Sequence, residues 1–169
     1  MGLSVAISGG IIMFGIIYLM FSLSGLTDSI ASISDSSMHS SDLENKLVKT
    51  SITINSITAT GTTSNVSIVI KNDGIEKLWE FEKFNVIITY ESSGTTYTEN
   101  LIYTDTCPSS PGQWCPLSFN NDVIDPKILN YNETLSIDAK VSNNITALTN
   151  VICVVSTQNG VVATETTVA

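Results

Sequence analysis

Cys107 and Cys115 are the pair best placed for covalent chemistry in this 169-residue chain. They bracket Pro108-Ser109-Ser110-Pro111-Gly112-Gln113-Trp114, in which Pro111-Gly112 sets two turn-forming residues side by side. A disulfide closing this short loop is expected, and it would lower unfolded-state entropy by about 2–3 kcal/mol. Two free thiols are the alternative, as in a reducing compartment. The third cysteine, Cys153, lies in Val151-Ile152-Cys153-Val154-Val155, where a small buried thiol on a strand is the expectation. Three cysteines and one histidine, His39, have no zinc spacing, so neither a metal nor a cofactor is expected. His39 sits in a Ser-rich stretch, which leaves no Ser-His-Asp or Cys-His arrangement to build. No Gly-rich phosphate loop follows a strand. Glu76, Glu80, Glu82 and Glu91 read as solvated carboxylates rather than an acid/base pair. No catalytic residue is assigned, and an interaction or structural protein is expected, not an enzyme.

Modification and contact residues are easier to name. Three Asn-x-Ser/Thr sequons, at Asn65, Asn132 and Asn144, are possible N-glycosylation sites, although a chain rich in Asn, Ser and Thr produces some by chance. Trp114, in the cysteine loop beside two prolines, is the candidate partner contact, because exposed aromatics on stiff loops serve as interface anchors. Trp79, in Leu78-Trp79-Glu80-Phe81, is expected to pack in the core at a strand start. A sugar- or ligand-binding domain would need an aromatic cleft, which the sequence does not locate.

The net charge of −9 excludes nucleic acid as a partner, since no basic patch could neutralise phosphates. Charged residues make up only 14% of the chain, so its polar surface is mostly Ser, Thr and Asn, as suits a secreted or surface protein. Residues 1–27 carry no charged side chain at all. Within them Ile11, Ile12, Phe14, Ile16, Ile17, Leu19 and Phe21 leave no polar face, and a helix from Leu3 to Leu26 would span roughly 36 Å, enough for a bilayer core. A retained transmembrane anchor is expected, with a cleaved signal or pilin-type leader as the alternative. The sequons and the cysteine pair then place the bulk outside and the N-terminus inside. Residues 28–50 carry Ile30, Ile33, Leu43 and Leu47 as a narrow apolar stripe of a helical stalk, weakest at 34–41. That stripe could pack on its own domain or pair with a second copy.

From residue 51 the hydrophobic period changes to two. Seven short strands follow, over 51–58, 65–70, 84–90, 95–103, 133–141, 151–157 and 161–167, punctuated by Asp73-Gly74, Ser93-Gly94 and Asn159-Gly160. The expected fold is mainly β: an anchor helix and stalk, then an immunoglobulin-like antiparallel sandwich of about seven strands over 51–169.

The run from Lys71-Asn72-Asp73-Gly74 through Lys77-Leu78-Trp79 to the strand ending at Tyr90 resembles the archaeal flagellar (archaellum) accessory proteins F and G. The uncharged N-terminal helix, the Asn132-Glu133-Thr134-Leu135 strand start and the closing Asn159-Gly160-Val161 hairpin are similar to that family as well. The resemblance implies a single-pass membrane protein, N-terminus cytoplasmic, whose β-sandwich binds surface-layer protein in the pseudoperiplasm and acts as a stator around the filament. Its implied partners are membrane lipid, surface-layer protein, archaellum filament or motor components, and a second copy or protein G. The likeness is to F more than to G, since Met1-Gly2-Leu3-Ser4 carries no processing site. The alternative is a filament-forming subunit, archaellin or pilin-like, whose N-terminal helix packs in a helical core.

Overall fold

The computed structural model describes residues 2–122 and 125–169, with side chains described throughout these except at 2–6 and 24–28. The chain divides into two compact units, Met1–Glu44 and Asn45–Ala169. One helix, α1 (Gly2–Lys49), runs through the first and into the second for 48 residues, about 72 Å at 1.5 Å per residue. No break separates the expected anchor from the expected stalk, and the weak centre at 34–41 stays helical. Serine costs a helix only a few tenths of a kcal/mol, and no Gly or Pro interrupts residues 26–50. Lys46 and Lys49 stand in the last turn, where their charge complements the helix dipole.

The seven apolar residues from Ile11 to Phe21 are exposed on every side of α1, from 45% at Ile17 to 77% at Phe21. Among the described residues no helix is long and apolar enough to cross a membrane. The ends of the expected span, Leu3 and Leu26, lie outside the described side chains. The described residues by themselves therefore do not make up the expected transmembrane span.

Among the described residues the second unit holds eight strands: β1 (Ile52–Ala59), β2 (Asn65–Asn72), β3 (Asn85–Ser92), β4 (Thr95–Tyr103), β5 (Gln113–Asn120), β6 (Thr134–Lys140), β7 (Asn150–Ser156) and β8 (Val162–Val168). They form one continuous sheet in the order β1-β2-β6-β5-β4-β3-β7-β8, with β1 and β8 close enough to bring it nearly to a barrel. Alternation does the sorting. Val66, Ile68 and Ile70 of β2, Leu135, Ile137 and Ala139 of β6, and Val86, Ile88 and Tyr90 of β3 all point into one core. Ser93 and Gly94 take positive φ (51° and 79°) in the tight β3–β4 hairpin, as that turn demands.

Two expectations need correction. The strand missed is β5, which carries Pro116 and a bulge between Pro116 and Ser118, so no period-two signal marks it. The sheet is also not wholly antiparallel, because β4 and β5 pair in parallel at Ile102–Gln113 and Tyr103–Trp114. Thr104 N–H donates to the Trp114 carbonyl at 2.8 Å, but Pro116 has no N–H with which to extend the ladder. This short pairing joins two four-stranded halves that an immunoglobulin-like sandwich would keep separate.

Candidate interaction site

The helix junction of the β unit is built around Asn72, a fully buried side chain at the end of β2. Its Nδ2 donates to the carbonyls of Glu76 (2.8 Å) and Leu129 (2.9 Å), and its Oδ1 accepts from Gly74 N–H at 3.0 Å. Gly74 lies against the Lys49 carbonyl and the Ser51 amide so closely that a Cβ there would collide with backbone. The Asn-Asp-Gly turn thus locks the last turn of α1 to the sheet. Beside it Lys71 and Asp73, both partly buried, form an ion pair at 2.8 Å.

At the opposite end of the unit, Tyr90 donates its phenol hydrogen to Glu99, which also accepts from Ser142 N–H (3.1 Å) and Ser142 Oγ (2.9 Å). Burial and then the Glu99 carboxylate push the Tyr90 phenol above its ordinary range. Leu148 protrudes from this end at 87% exposure with φ +62°, an uncommon conformation for a bulky side chain. Its N–H is held by the Ala169 carbonyl at 2.7 Å.

Cys107 and Cys115 are joined by a disulfide with a Cα–Cα distance of 5.8 Å. The loop folds onto β6, where Ser109 donates from its N–H (2.8 Å) and Oγ (3.0 Å) to Asp138. Trp114 is not the exposed contact that was expected. It is completely buried, because β5 turns it inward opposite Ala139, whose small side chain leaves room for the indole. Tyr103 meets it edge-on at 5.2 Å. The expectation for Trp79 is reversed too. It is 58% exposed, while its neighbour Leu78 takes the core position and bridges to Leu129.

Trp79 stands on the rim of an open groove of about 520 Å³ with Tyr103, Leu117 and Phe119, flanked by Asp105 and Lys127. Phe81 lies beneath it, 5.6 Å from Phe119 and 5.2 Å from Phe84 between ring centres. Burial foremost, then the carboxylates of Asp105 and Glu82, push the Tyr103 phenol up. The groove escaped the sequence because its rings come from residues scattered over 79–119, with no common period.

The remaining candidates stay apart. Asn65, Asn132 and Asn144 are all exposed, Asn65 and Asn144 at the end away from α1 and Asn132 at the junction. His39 is exposed on α1, and Glu80 pairs with Lys83 at 2.6 Å. Among the described residues no three His, Cys, Asp or Glu side chains converge as a metal site would require. Cys153 is fully buried, and burial pushes its thiol up to about 12.

No protein-family model matches the chain, and no curated protein does. Solved structures do. A chain of the archaellum periplasmic stator complex FlaF and FlaG from Sulfolobus acidocaldarius is similar at TM-score 0.51 and 17% identity, covering 69% of this chain and 87% of that one. The fold is that of archaellum proteins. The archaeal flagellin FlaB1 of Methanocaldococcus jannaschii matches at TM-score 0.53 and 10% identity, over 71% of this chain and 90% of its own. The archaeal flagellum of Methanospirillum hungatei matches at TM-score 0.61 and 14% identity, over 99% of this chain and 93% of its own. The archaellum fold therefore accounts for the β unit, and in the last case for α1 as well. These neighbours are structural components rather than enzymes.

Proposed function

We infer that the chain is a structural component of the archaeal cell envelope that works as a stator of the archaellum. In this reading α1 holds it in the membrane, N-terminus cytoplasmic, and the β unit grips surface-layer protein in the pseudoperiplasm. One observation carries the reading: residues 7–23 are uncharged and exposed on all sides of a helix whose other end is locked into a β unit. A helix apolar all round is stable in water only when something covers it, and lipid is the cover a stator requires. The likeness to the stator complex supports the same reading. One apolar helix resists extraction well and rotation poorly, so the wall contact bears the torque. The end of the β unit away from α1, where Leu148 protrudes, is the surface that reaches the wall. Full-length chain in mild detergent should retain surface-layer protein on an affinity column, and Leu148→Asp should lower recovery. Recovery of nothing by the unaltered chain would overturn the reading.

A second reading is favoured by the flagellum match, which extends over the helix as well as the β unit. There the chain is a filament subunit, and copies of α1 cover one another in place of lipid. Extraction by detergent as a small species supports the stator, and recovery in sheared micrometre-scale filaments supports the subunit.

A further inference from the structure

We propose that the groove beneath Trp79 is a carbohydrate site, which binds a short neutral oligosaccharide by stacking a pyranose ring on the indole. The site does not depend on whether the chain is a stator or a filament subunit. A large aromatic side chain is an expensive group to leave in water, yet Trp79 is 58% exposed while every ring around it is at least half buried. Its neighbours Tyr103 and Phe119 give the groove aromatic walls, and Leu117 adds an apolar side chain to the lining.

The polar groups are what separate a sugar from an apolar occupant. Asp105 and Lys127, of opposite charge, both line the groove. A carboxylate accepts from sugar hydroxyls and an ammonium donates to them, while the C–H face of the ring lies on the indole. An occupant with only apolar groups would make no use of either charge. The groove's size, about 520 Å³, falls among small-ligand sites. Its walls are fixed before any ligand arrives, because Cys107 on the lining is tied to β5 by the disulfide and Phe81 is wedged between Phe84 and Phe119. Such preorganisation removes part of the ordering cost of binding.

An extended peptide adding to β5 beyond its short pairing with β4 is the rival occupant, and the strand itself argues against it. Pro116 lacks the N–H that a guest strand needs, and the bulge after it twists the edge away, both of which protect strands from unwanted pairing. That leaves the rings and the two charges as the groove's working chemistry.

The test uses full-length chain in a detergent without a sugar headgroup, titrated with maltotriose, cellotriose, chitotriose and mannotriose. Trp79 fluorescence should shift to the blue with at least one of them, while buried Trp114 stays silent. Trp79→Ala should weaken binding at least tenfold without moving the urea midpoint, Trp79→Phe should restore part of it, and Asp105→Asn should weaken it several-fold. Ile75→Ala, exposed but off the groove, should bind normally. A further arm separates the sources. A surface glycoprotein that binds before enzymatic deglycosylation and not after places the ligand on protein, and binding of free trisaccharide alone places it on soluble sugar. No response to any of the four sugars, binding that survives Trp79→Ala, or Trp79-dependent binding of an alternating Val-Thr hexapeptide in their place would overturn the proposal.

Discussion

Replacing Asn72 by alanine should destabilise the β unit at its helix junction, and the cost can be followed bond by bond. The substitution removes three hydrogen bonds from a side chain with no exposed surface. What matters is what each abandoned partner keeps. The Leu129 carbonyl still accepts from Leu78 N–H at 3.2 Å, and Gly74 N–H still reaches the Ser51 carbonyl at 3.0 Å. The Glu76 carbonyl loses Asn72 but is only part-buried there, so water can reach it. Each loss then falls near the ordinary net value of about 1 kcal/mol, not the full penalty of a stranded group, for a sum of roughly 2–3 kcal/mol. That should lower Tm by roughly 6–12 °C for a unit of this size. Urea unfolding followed by the fluorescence of buried Trp114 reads it directly. Asn72→Asp sharpens the test. A carboxylate facing the Glu76 and Leu129 carbonyls is disfavoured charged, so its folded pKa rises above the unfolded value near 3.9. The loss should be small below pH 4 and grow as pH rises through the unfolded value. An Asn72→Ala chain within 0.5 kcal/mol of the original, or an Asn72→Asp chain whose deficit does not change with pH, would refute the reasoning.

Three other outcomes follow from the same geometry. Cys153, with its thiol pushed up to about 12 by burial, should resist iodoacetamide at pH 8 in the folded protein and react promptly in urea, as mass spectrometry would record. Trp114→Ala should cost about 3–5 kcal/mol, because it empties the core opposite Ala139, and urea unfolding of the variant checks it. Cys107→Ser with Cys115→Ser opens a loop closed across a separation of 8 residues and should lower stability by about 2.5 kcal/mol, measured against the oxidised parent.

Strands β1, β2, β3, β4, β6, β7 and β8 were legible because each alternates and each is bounded by a turn with its own chemistry, such as Asn159-Gly160. The helix was legible too, although its lack of a break at 34–41 was not, since serine weakens a helix without ending it. The eighth strand was hidden by Pro116 and a bulge. The two tryptophans were misplaced for a related reason: a sequence tells which residues are large, not which of two neighbours a strand turns inward. Leu78 won the core place beside Trp79, and β5 carried Trp114 inside.

The sequence alone determined the uncharged opening run of the helix and the mainly β unit, since charge and hydrophobic period are local properties read within a few residues. Only tertiary structure decided that the two half-sheets join through β4 and β5, that Asn72 holds the turn whose Glu76 N–H donates to the Lys49 carbonyl, and that Trp79 faces a groove. Each of these depends on residues tens of positions apart meeting across the core, and no local period encodes such a meeting.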